Sequence, residues 1–144
     1  MAIVKYCSDY DLRDSWKNFR KYSPDQYKDR AFYLLYFYAI ECGLKYILIK
    51  NQNLQHCPEK GDDFFSHNLA KILRKIDPNA SEIKDFPKNL SLQLPLSGSI
   101  NHNQFYDIHL AWRYGWKVIP QNEKAIIEWL KKLDELIDQR MRKL

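Results

Sequence analysis

Ala31–Leu48 reads AFYLLYFYAIECGLKYIL, and how this stretch folds decides how the rest of the chain must fold. Ten consecutive residues, Ala31–Ile40, are apolar or aromatic, before Glu41 and Lys45 interrupt. That uncharged run is about half of the ~20 residues a membrane span requires. A charge inside so apolar a segment is costly to bury unless it is paired. Glu41 stands one helical turn before Lys45, with the acid N-terminal, the better order for an ion pair. The stretch predicts a central helix, apolar nearly all round and enclosed by other helices. The Glu41–Lys45 pair is expected to fix its register.

The boundaries come next. Ser23-Pro24-Asp25-Gln26 offers an N-cap Ser, a Pro in the first turn, an early acid and a Gln at the capping-box position. It predicts that the central helix starts there and runs to about Lys50, where Asn51-Gln52-Asn53 dissolves the pattern. Gly43 inside it carries a mild penalty unless something packs closely against it. Upstream, Ser8 with Asp11 three residues on predicts a capped first helix, with Leu12, Trp16 and Phe19 facing inward.

Downstream, Gln52–Phe65 has no period and reads as a loop. Ser66 is expected to cap a third helix with the stripe Leu69, Ile72, Leu73 and Ile76, ended by Asp77-Pro78. Ser81–Phe86 suits one short helix. Pro87–Gly98, with alternating leucines, reads as an extended connection or a short hairpin. Over Ile100–Gly115 a helix places Phe105, Ile108 and Trp112 on one stripe. His102, Tyr106, His109 and Arg113 then fall on a second, wholly polar or ring-bearing stripe. Trp116–Pro120 reads as a turn. A last helix from about Asn122 turns Ile126, Leu130, Leu133 and Ile137 inward, with bases at its end as the helix dipole prefers.

The expected architecture is an all-α, antiparallel bundle of four to five helices, with residues 1–144 as one domain. A chain of 144 residues can bury a core without staples, and only four glycines argue against a many-turned β fold. Three cysteines, Cys7, Cys42 and Cys57, suit reduced thiols better than a disulfide framework. The N-terminus lacks the basic-then-apolar pattern of a signal peptide. A soluble cytoplasmic protein with no membrane role is expected. The net charge of +5 permits an anionic partner without requiring one.

Three segments resemble the HEPN superfamily. Glu41-Cys42-Gly43-Leu44-Lys45 is similar to its A-x-E-x-x-L-K core. Ser66-His67-Asn68-Leu69-Ala70-Lys71-Ile72-Leu73 is similar to its H-D/N-L-x-x-L helix start. Ala111-Trp112-Arg113-Tyr114-Gly115 resembles its x-R-Y-P/G element. The resemblance covers roughly Pro24 to Ile137. The resemblance implies a helical bundle that forms a homodimer, in prokaryotic toxin–antitoxin, antiviral defence or RNA-processing systems. Active members are metal-independent ribonucleases with an Arg-x4-6-His motif completed across the dimer. Non-catalytic members bind nucleotides or partner with small nucleotidyltransferases. In this chain Arg113 matches the motif's Arg, but no His follows it.

The leading expectation is therefore a non-catalytic or divergent HEPN-like module that contacts RNA, a nucleotide or a partner protein. The alternative enzyme reading keeps a reversed pair. Arg113 holds a phosphate bidentately and His109, or His102, moves the proton. A plain helical interaction domain is the third reading. His102, Tyr106 and Lys117 are candidate ligand contacts around Arg113, and in this reading Glu41, Lys45 and His67 face the same groove. His56-Cys57 with His67 or Cys42 matches no standard zinc spacing, so neither a metal nor another cofactor is expected.

Overall fold

A computed structural model describes residues 8–53, 68–84, 92–94, 98–100 and 108–144. Most of them are helical. The helices are α1 (Asp9–Phe19), α2 (Arg30–Asn51), α3 (Leu69–Ile76), α4 (Ser81–Lys84), α5 (Ile108–Tyr114) and α6 (Pro120–Met141). Three short strands accompany them: β1 (Leu92–Leu94), β2 (Gly98–Ile100) and β3 (Lys117–Val118).

α2 is the central element, packed against α1, α3, α5 and α6. From Tyr36 to Ile49 only Tyr38 and Cys42 escape full burial. A surface helix would show a polar face over that length; this one needs none because it is covered on several sides. Its length and apolarity match those of a membrane span, with 61% of the most apolar window buried inside the fold, as in a core helix. Glu41 and Lys45 are buried and paired, Nζ to Oε2 at 3.1 Å. Gly43 is the tightest point. A Cβ built there would stand 2.7 Å from Cδ1 of Trp16 on α1 and 2.9 Å from Cγ2 of Ile137 on α6. The missing side chain lets three helices meet at one Cα. The Trp16 ring held against it is 2% exposed, and its buried indole N–H has no acceptor among the described residues.

α1 begins as its sequence dictates. Ser8 Oγ accepts from the Asp11 N–H while the Asp11 carboxylate accepts from the Ser8 N–H, a closed capping box. At the same end Lys50 of α2 pairs with the buried Asp9. At the other end Arg20 binds Asp134 (2.9 Å) and Asp138 (3.4 Å) of α6, with its guanidinium 4.3 Å above the Trp16 ring. Tyr36 of α2 donates its hydroxyl to Asp134 at 2.9 Å. Burial, and then the neighbouring carboxylate, push the Tyr36 hydroxyl far above its ordinary pKa.

Several boundaries differ from the sequence expectation. α2 starts at Arg30, capped by the Asp29 side chain on the Ala31 N–H, and not at Pro24. Ser23-Pro24-Asp25-Gln26 closes a single turn, with the Gln26 and Tyr27 N–H groups both bonded to the Ser23 carbonyl. Pro24 is buried and Tyr27 half-buried, but Asp25, Gln26, Lys28 and Asp29 are exposed, too little continuous burial to propagate the turn into a helix. α3 is capped by Asn68, whose side chain accepts from the Lys71 N–H. Ser66 lies outside the described residues.

Within Pro87–Gly98, Leu92 and Leu94 lie in β1, which pairs antiparallel with β2 in the register Leu92↔Ile100; Leu90 and Leu96 lie outside the described residues. Ile100 thus belongs to a strand, and the helix expected from it begins, among the described residues, at Ile108. The expected turn at Trp116–Pro120 holds β3, which pairs with β1 on its other side (Leu92↔Val118). The last helix starts at Pro120 in place of Asn122, because Pro suits the first turn, where no N–H is needed.

Candidate functional site

Arg113 sits in the last turn of α5, and the chain beyond it explains why it faces outward. Gly115 takes φ +72°, the left-handed conformation that ends a helix, and the Trp116 N–H reaches back to the Ala111 carbonyl at 3.0 Å. Among the described residues nothing stands within 4 Å of a Cβ built at Gly115, so its conformation and not its space calls for glycine. The chain then enters β3.

A polar frame pins this corner to the starts of α2 and α6. Arg30 donates to the Trp116 carbonyl (2.8 Å) and pairs with Glu123 (3.3 Å). The Trp112 indole N–H donates to the same Glu123 carboxylate at 2.9 Å, and the Tyr33 ring packs on Trp112. Burial, then the charges of Glu123 and Asp29, raise the Tyr33 hydroxyl above its ordinary pKa. With the corner fixed, Arg113 is exposed, its guanidinium 5.5 Å from the Tyr114 ring centre. Tyr114 is 58% exposed, and its ring lies 6.1 Å from that of Trp116 at 30°. One guanidinium and two rings thus share one surface. Such a group can hold a phosphate bidentately and stack on a planar base.

His109, one turn earlier in α5, has the opposite fate. It is 5% exposed and stacks on Phe37 of α2, ring centres 5.3 Å apart at 21°. The pair spaced to act together is therefore divided, with the imidazole in the interior and the guanidinium on the surface. A proton-transfer role needs the imidazole within hydrogen-bond reach of a substrate, which its present burial does not offer. Glu41 and Lys45 likewise belong to the interior, with side chains 10% and 9% exposed. His102, Tyr106 and His67 lie outside the described residues. Lys117 is in β3, four residues from Arg113.

Tyr114, Trp116, Arg30 and Glu123 were not singled out by the sequence. The signal was present in the run Trp112-Arg113-Tyr114-Gly115-Trp116, where three rings flank one cation and a helix-ending glycine. Among the described residues no group of three or more His, Cys, Asp or Glu side chains is placed to hold a metal ion. Cys42 is half-buried, and burial followed by the Glu41 charge pushes its thiol up to about 11, the reverse of a reactive nucleophile. Compared with family models, curated proteins and solved structures, the chain matches none.

Proposed function

We propose that this chain is a HEPN-like helical module, cytoplasmic and non-catalytic, that contacts RNA or a nucleotide through the corner between α5 and β3. The observation that carries the reading is the division of His109 from Arg113. The exposed guanidinium has Tyr114 and Trp116 beside it, while the imidazole is packed on Phe37. Within this pair the phosphate-binding group is on the surface and the proton-transfer group is not. The three sequence segments supply the resemblance, and with it a homodimer in a prokaryotic defence or toxin–antitoxin setting. In that setting a nucleotidyltransferase is the natural partner.

Two measurements test this. A labelled single-stranded oligoribonucleotide and labelled ATP are titrated against the protein and an Arg113→Ala, Tyr114→Ala variant. Loss of one stacked base and one phosphate contact should weaken binding by about 1–3 kcal/mol. Equal binding by both proteins would remove the corner from the reading. Total RNA incubated with the protein in EDTA, beside an Arg113→Ala, His109→Ala variant, tests the alternative of a metal-independent ribonuclease. Cleavage by the parent that the variant loses would establish that alternative and require His109 to leave its seat on Phe37.

A further inference from the structure

A cleft of about 610 Å³ lies where α1, the C-terminal turn of α2 and the end of α6 converge. None of its lining residues belongs to α5 or β3, so it is separate from the corner described above. Four cations line it, Arg13, Lys17, Lys50 and Arg142, against one carboxylate, Asp138. Three of the four are already oriented by acids: Arg13 by Asp14 (3.4 Å), Lys50 by Asp9 and Arg142 by Asp138 (2.9 Å). Asp9 and Asp14 stand outside the lining. Lys17 is exposed and makes no ion pair among the described residues. It also lines a second cleft of about 550 Å³ just past the end of α1, where Arg20 and Lys21 face Asp25 and Asp134, so the excess of positive charge belongs to the first cleft.

The floor decides what kind of anion fits. Trp16 and Tyr46 contribute to it but are 2% and 9% exposed, so neither offers an open ring face to a nucleobase. What the cleft does offer is aliphatic: the half-buried Met141 and the exposed Leu144. An unbranched thioether adapts its shape to an apolar partner. A basic rim over an apolar floor complements a helix with an apolar stripe and acidic edges. We propose that this cleft docks an acidic amphipathic segment of a partner protein. Its apolar stripe lies on Met141 and its carboxylates lie along Lys17 and Arg142.

The probe is a fluorescein-labelled amphipathic peptide with a Leu stripe flanked by Glu, alongside a Leu-to-Ser version and a labelled oligouridylate. The Leu–Glu peptide is expected to bind, to weaken as salt rises from about 50 to 300 mM, and to be lost when its leucines are replaced. Charge reversal by K17E with R142E should weaken it about tenfold, since rim charges on both sides of the cleft then repel the acidic edges. Met141→Ser should weaken it through the floor without altering the salt response. Equal thermal melts of parent and K17E/R142E establish that the variant is folded. Three results overturn the proposal: no binding of the Leu–Glu peptide, equal binding by the folded variant, or stronger binding of oligouridylate through Lys17 and Arg142.

Discussion

Glu41–Lys45 in α2 and His109–Arg113 in α5 are the same pattern twice, two polar side chains one helical turn apart. Both include a buried residue, yet the first pair closes at 3.1 Å inside the fold and the second is split between interior and surface. Spacing determines which side chains can meet. What surrounds the turn determines whether they do. Most of α2 is enclosed, so both members of its pair are almost wholly withdrawn from water, and closing on each other offsets that cost. α5, seven residues long among the described residues, ends in a left-handed glycine, so its last turn leaves the interior before Arg113 can be covered.

The comparison breaks most sharply at Glu41. Replacing it by Ala strands a buried ammonium, and chemical denaturation should record a loss of about 3–5 kcal/mol. Replacing both members by apolar residues of similar volume should restore most of that loss. If the single substitution costs no more than a surface change, the pair is not desolvated and the contrast fails. Gly43→Ala should come next. Helix propensity favours Ala by about 1 kcal/mol, but overpacking against Trp16 and Ile137 costs about 1–3 kcal/mol. A net loss of stability is expected, and a net gain would show that Trp16 is free to shift.

The Asp9–Lys50 pair bridges α1 and α2 and sharpens the comparison through pH. The hydrogen bond from Lys50 is the largest influence on Asp9 and holds its carboxyl below the usual range, while the same bond holds Lys50 above its own. The Asp9 contribution is complete above its unfolded value of about 3.9 and is lost as pH falls through the lower folded value. That of Lys50 is complete below about 10.4 and is lost as pH rises through the higher folded value. Denaturation midpoints should therefore be insensitive to this pair between those limits. Lys50→Met should remove this acid limb, leaving stability flatter as pH falls through the carboxylate range, and an unchanged limb would dissociate Asp9 from Lys50. The smallest effect belongs to Arg113→Ala, within about 0.5 kcal/mol of the parent, as for an exposed residue without a buried partner.

What could be read from the sequence followed the amount of burial. The run Ala31–Ile40, the Ser8–Asp11 capping box and the stripes Leu69-Ile72-Leu73 and Ile126-Leu130-Leu133-Ile137 each specify structure through many apolar contacts or two reciprocal bonds. All appear as helix, and the named residues of both stripes are buried, while Ile76, also expected on the first stripe, is half-buried at the end of α3. Ser23-Pro24-Asp25-Gln26 carried every helix-start signal and yielded one turn, because capping chemistry sets a first turn but only a buried face extends it. β3 is two residues long, too short for any alternation to show. Its existence depends on β1, more than twenty positions earlier in the chain. Arg113 stood out as a cation beside a helix-ending glycine. That His109 turns inward depends on Phe37 in a different helix, which no local pattern records.

Gly43 has a consequence for how sequences of this fold can change. Positions 16, 43 and 137 lie on three helices but share one small volume, so they behave as a single unit of variation. A methyl group gained at 43 must be met by a loss at 16 or 137. Conversely, a smaller residue at 16 or 137 opens the space that 43 now leaves vacant. Sequences that keep these three helices in contact should therefore trade volume among these three positions while their neighbours drift independently.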